Sequence, residues 1–231
     1  MLGGYNINVA TTSLPQNVAS GFDNAFDGLK FTGAEYSMIA YLGKQQVNGY
    51  NHAFLALQKL VTKDDVKNIV LVILNEKPGD IGGNTFSIVE IRRLLADGSN
   101  LMGGINVAPT TKIPEDAMKV YNERFGTSFG ATTKPIALLA TQVVNGVAYY
   151  FATESTLVTG PVGDIDVMAN IPDHVNINIV KIFSNYHDIE TKLVLEGTKE
   201  NPLKEATVDN DNTRLSSHLT SGARASYSFN W

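Results

Sequence analysis

Side chains able to do chemistry are few in this sequence and badly spaced for it. The chain has 231 residues, no cysteine and four histidines, His52, His174, His187 and His218. Without thiols there is no disulfide, no thiolate metal site and no cysteine nucleophile. None of the histidines has the spacing of a helical zinc motif, and "HDIE" at 187–190 reads as a solvated strand end rather than a ligand pair. "DNDNTRLSSHLT" begins like a calcium loop, but Arg214 stands where the sharp turn needs glycine and Thr220 where a bidentate Glu belongs. "GPVGD" at 160–164 lacks the lysine and spacing of a phosphate loop. These observations lead us to expect no enzyme activity, no cofactor and no metal.

What remains is chemistry of recognition, carried by a turn that occurs twice. "KQQVNGYNHAF" at 44–54 and "TQVVNGVAYYF" at 141–151 share a Gln-x-Val-Asn-Gly core, and a constant offset of 97 carries Gly49 onto Gly146. The same offset pairs Ile39, Ala40 and Leu42 with Ile136, Ala137 and Leu139, and "LVT" at 60–62 with "LVT" at 157–159. Farther out the offset drifts, with "IVEI" at 88–91 matched to "IVKI" at 179–182. Repetition over this length implies duplicated units. Asn-Gly supplies a turn position with positive φ at low steric cost, so each hairpin is tight. Gln45 and Gln142 are placed to bond across the hairpin bases, Val47 and Val144 present apolar surface at the tips, and Tyr149, Tyr150 and Phe151 begin the strand that anchors the second hairpin.

The elements that must position these turns recur in both units. "SLPQNVASGFDNAFDGL" places Val18, Phe22, Ala25, Phe26 and Leu29 on one helical face, and "TKIPEDAMKVYNERF" does so with Ala117, Val120, Tyr121 and Phe125. Strand-like runs follow each helix: "MIAYLGKQQ", "GYNHAFLALQ", "NIVLVILNE" and "FSIVEIRRL", then "IALLATQV", "VAYYFATESTL", "DIDVMANI" and "NINIVKIFSN". The expected fold is α+β: two tandem domains, 1–98 and 99–199, each one helix on an antiparallel sheet of about four strands. Residues 200–231 form a tail whose "RASYSFNW" alternation suggests an added edge strand.

The paired hairpins resemble the cystatins, and among them the cysteine-free stefins, whose inhibitory hairpin is Gln-x-Val-x-Gly. A glycine-bearing segment before the helix is the family's second hallmark, and "MLGGYN" and "LMGGIN", with Gly3, Gly4, Gly103 and Gly104, are similar to it. A second hairpin is the third hallmark; Pro78 and Gly79 of "NEKPGD" resemble it, as does Pro172 of "NIPDHVN", which lacks the glycine. The resemblance implies two cystatin-like domains acting as reversible, non-covalent inhibitors of papain-like cysteine proteases. It implies contact through Gly3, Gly4, Gln45, Val47, Asn48, Gly49, Pro78 and Gly79 in one unit. In the other the contacts would be Gly104, Gln142, Val144, Asn145, Gly146 and Pro172. The free trunk and complete second loop make the first unit the tighter expected binder. The rival expectation is a non-inhibitory assembly protein that uses the same shape for protein contacts.

Composition sets the outer bounds. Apolar residues make up 43 % and charged residues 18 %, the balance of a chain able to bury a core. A formal charge of −5 with no cluster of Lys and Arg gives no reason to expect nucleic acid as a partner. No apolar run approaches the roughly 20 residues that cross a bilayer, so no membrane partner is expected. The amino-terminal "MLGGYNINVATTS" has no basic or long apolar segment, which reads as cytoplasmic, or as secreted with a signal removed.

Overall fold

In the computed structural model the described residues are 4–27, 33–61, 66–79, 83–126, 131–157, 172–185 and 188–199. The tail from residue 200, Gly3 and the run "DIDVMAN" fall outside them. The first half holds β1 (Tyr5–Ala10), α1 (Gln16–Asp27), β2 (Ala34–Val47), β3 (Gly49–Leu60), β4 (Lys67–Pro78) and β5 (Asn84–Ala96). The second repeats that order with β6 (Ile105–Thr110), α2 (Glu115–Phe125), β7 (Ala131–Val144), β8 (Gly146–Leu157), β9 (Asp173–Phe183) and β10 (Ile189–Lys199).

The expectation of two tandem helix-on-sheet domains is corrected by the pairing. All ten strands belong to one mixed sheet, in the order β5-β4-β3-β2-β1-β10-β9-β8-β7-β6. Every neighbouring pair is antiparallel except β1 and β10, which run parallel with Tyr5 opposite Gly197 and Asn6 opposite Thr198. Among the described residues each half contributes five strands rather than about four: the segment after each glycine pair is itself a strand, and in the second half β10 is a further unexpected one.

Burial explains why the halves cannot stand apart. Along β4 the side chains alternate between two cores. Ile69, Leu71 and Ile73 join a cluster that also holds Leu139, Ile177 and Ile179 of the second half, while Val70, Val72 and Leu74 pack under α1. Both faces of this strand are buried, so its apolar run "IVLVIL" is continuous, not alternating. The helices lie on the outer faces: α1 buries Val18, Phe22 and Phe26 against Tyr41 and Phe54, and α2 buries Ala117 and Tyr121 against Leu138 and Phe151. The inner faces share one core.

The sheet curls far enough for its two outermost strands to meet. Gly98 N–H donates to the Ile105 carbonyl at 2.8 Å, and Val107 N–H to Asp97 Oδ1 at 3.3 Å. Reciprocal contacts tie β5 to β10: Arg92 Nη2 donates to the Val194 carbonyl at 2.8 Å and Lys192 Nζ to the Leu94 carbonyl at 3.4 Å. The halves thus face each other across an approximate two-fold axis.

Candidate functional site

The turn glycines adopt the conformation that their sequence required. Gly49 has φ +90° and Gly146 φ +108°, and each closes a hairpin around a single residue, Asn48 or Asn145, with Val47 opposite Gly49 and Val144 opposite Gly146. A Cβ on Gly49 would run into the carbonyl oxygen of Glu76, so this glycine is fixed by space as well as by φ.

Three parts come together at one end of each half. In the first, Gly4 leads into β1, whose Asn6 lies opposite Lys44, close to the Asn48 turn; Pro78 and Gly79 end β4 at the same place, since Glu76 lies opposite Tyr50. Asn75 Nδ2 donates to Asn51 Oδ1 at 2.8 Å, and Asn51 Nδ2 to Gln45 Oε1 at 3.5 Å, bracing the hairpin base. In the second half the bracing is tighter. Tyr150 Oη donates to Gln142 Oε1 at 2.7 Å while Gln142 Nε2 donates to the Gly103 carbonyl at 2.8 Å, so one side chain joins strand, hairpin and glycine segment. Burial raises the Tyr150 pKa, partly offset by the Lys181 ammonium, which keeps the hydroxyl a donor. From the β9–β10 connection, Asn185 Nδ2 donates to the Asn145 carbonyl at 3.2 Å.

Pro172 does not join this constellation. It precedes β9 at the end where Thr156 pairs with Val175, so the length of β8 separates it from Asn145, roughly 35–40 Å at the rise of a strand. The connection in the place of "EKPGD" is the one around Ser184 and Asn185, which hold the tip instead. Gly104 lies beside the second tip as expected, just ahead of Ile105 opposite Gln142.

The two tips point the same way along the sheet but are staggered, because β1 and β10 run parallel and each leads away from its own tip. β1 starts at the first end, yet Tyr5 pairs with Gly197 near the finish of β10, while Ile189, where β10 starts, lies opposite Ile182 by the second tip. Exposure also differs: Leu101 is 72 % exposed, Val143 70 % and Val144 41 %, and Met102 is fully exposed, whereas Val47 at the first tip is half-buried. Apolar surface is concentrated at the second end.

A third constellation escaped the sequence reading. Under the amino end of α1 lies a pocket of about 460 Å³ whose floor carries Tyr41, His52 and Glu76. His52 Nε2 lies 2.7 Å from Glu76 Oε2, and Tyr41 Oη lies 3.2 Å from His52 Nδ1, with all three residues buried. Asn17 and Asn84 donate to the other Glu76 oxygen at 3.2 and 2.5 Å. Burial raises the Glu76 carboxyl, but the hydrogen bonds from His52, Asn84 and Asn17 outweigh it and hold the group below its ordinary 4.5. With Glu76 ionised, a neutral His52 donates from Nε2 and accepts the Tyr41 proton at Nδ1. Burial, and then the Glu76 charge, push the Tyr41 phenol up to about 12.

Among the described residues there is no group of three or more His, Asp and Glu that could hold a metal. No described helix is long and apolar enough to cross a membrane. No protein family, no curated protein and no solved structure matches the chain.

Proposed function

We propose that this protein is a reversible, non-covalent binder of clefts in other proteins, and that its target class is the papain-like cysteine proteases. The observation that carries the reading is the meeting, at one end of each half, of a glycine segment, a Gln-x-Val-Asn-Gly hairpin and a final strand connection. Gln142 supports it further: by bonding both Tyr150 and Gly103 it orders the tip before a partner arrives, which lowers the entropy cost of binding. The cystatin resemblance of the hairpins supplies the protease class.

The second end is the stronger binder in this reading, because Leu101, Met102, Val143 and Val144 offer more apolar surface than the half-buried Val47. Sequence completeness favoured the first end; exposure reverses that order. Titrating papain activity with the purified protein tests the proposal. Inhibition is expected, and Val144→Asp, at an exposed site outside the core, is expected to weaken it about tenfold or more by placing a charge in an apolar contact. Absence of inhibition at micromolar protein, or equal inhibition by Val144→Asp, would refute it. The half-buried Val47 at the first tip favours the rival reading, an assembly protein whose ends contact partners without blocking an active site.

A further inference from the structure

We propose that the pocket under α1 binds a small organic monoanion, a hydroxycarboxylate with an apolar body. The ligand's carboxylate lies on Lys44 and its hydroxyl on the Tyr41–His52 pair. The site adjoins the first hairpin, whose flanking Asn6, Lys44, Tyr50 and Glu76 also line it, but the proposal does not rest on the protease reading.

The molecule contains its own comparison. The 97-residue offset carries Tyr41, Lys44, Tyr50 and His52 onto Leu138, Thr141, Val147 and Tyr149 of the second half. Register carries Glu76, opposite Tyr50, onto Ser184, whose N–H donates to the Val147 carbonyl. There the same positions are filled without a histidine or a carboxylate, and Tyr149 simply donates to Asp116 of α2 at 3.0 Å. The fold therefore does not need the Tyr41, His52 and Glu76 arrangement. Burying an ionisable pair costs desolvation that an apolar filling avoids. A costly feature present in one copy, at the floor of a pocket of ligand size, points to a ligand.

The lining specifies the chemistry. Asn6, Lys44 and His52 stand opposite one another across β1, β2 and β3, so their side chains share the face beneath α1. Lys44 is exposed at the rim, its ammonium 5.0 Å from the centre of the Tyr50 ring, and it has no ion-pair partner among the described residues. It is the one cation among the described lining residues, which suits a single carboxylate rather than a polyanion. Leu14, Val18 and Tyr50 give an apolar wall for the ligand body. At the floor, the neutral Nε2–H tautomer of His52 accepts a hydrogen bond from Tyr41 Oη at Nδ1, which leaves the phenol oxygen's lone pairs to accept from a ligand hydroxyl.

Nuclear magnetic resonance of full-length protein labelled on histidine and tyrosine rings, titrated with para-hydroxybenzoate, tests the proposal. The His52 and Tyr41 ring signals are expected to shift saturably in the millimolar range. Replacing the probe with the neutral para-hydroxybenzamide, or the protein with the rim variant Lys44→Ala, is expected to weaken binding about tenfold, as loss of a charge-assisted hydrogen bond does. No saturable shift, equal binding of the amide, or undiminished binding by Lys44→Ala overturns it. Because Lys44 is exposed, its replacement leaves the core intact and the comparison interpretable.

Discussion

Replacing Gly197 by alanine probes the one parallel contact that joins the halves. A Cβ at this position would run into the carbonyl oxygen of Tyr5, and its nearest other neighbours are Cγ1 and Cδ1 of Ile7, the first at 2.8 Å. A backbone oxygen cannot rotate away, so β1 must shift, and Ile7, fully buried in the shared core, must shift with it. Overpacking of this kind costs about 1–3 kcal/mol. At about 2–4 °C per kcal/mol for a chain of this size, the melting temperature is expected to fall by roughly 2–12 °C. Gly4→Ala is the control, since a Cβ there meets nothing within 4 Å. Calorimetry of the three proteins reads the difference, and the shared core requires the wild type to melt in one transition. Stability of Gly197→Ala within about 0.5 kcal/mol of wild type would refute the reasoning, since that is the range of inconsequential surface changes. So would two separate transitions in the wild type.

Two further outcomes are expected. Tyr121 Oη is buried without a hydrogen-bond partner among the described residues, and burial raises its pKa, whereas Phe22 holds the matching place on α1; Tyr121→Phe is therefore expected to leave stability unchanged or raise it by about 1 kcal/mol in denaturant titration. The folded state holds Glu76 below its ordinary pKa, so its contribution is present above about pH 4.5 and lost as pH falls through the folded value. Glu76→Gln is expected to be less stable near neutrality but to lose less on acidification, and parallel pH-stability curves for the two proteins would disprove this linkage.

The hairpins were legible because local steric demand shows in residue type: Asn-Gly after valine announced the positive φ found at Gly49 and Gly146. The helices were legible from their apolar stripes. The shared core was signalled by "NIVLVIL", since a strand covered on one face only would alternate, but a continuous run alone does not say what covers the second face. β10 was missed because its first five residues, "IETKL", are exposed and carry no apolar alternation. With that strand uncounted, "IVKI" of β9 was matched to "IVEI" of β5, and the last hairpin was placed at Pro172 instead of around Ser184 and Asn185. His52 and Glu76 were passed over because 24 positions separate them, and only the β3–β4 register brings them together.

The parallel seam also bears on how the chain reaches this state. β1 is synthesised before β10, yet its outer edge is covered only when β10, the last described strand, arrives. Until then a nascent first half carries a bare strand edge and an uncovered inner face of Leu42, Leu55 and Leu71. Such intermediates invite association with other chains, and contacts this remote in sequence close slowly. Emergence of β10, rather than of the first hairpin, is then the moment at which the sheet can close, and a chain truncated before β10 is expected to aggregate rather than fold as half a protein.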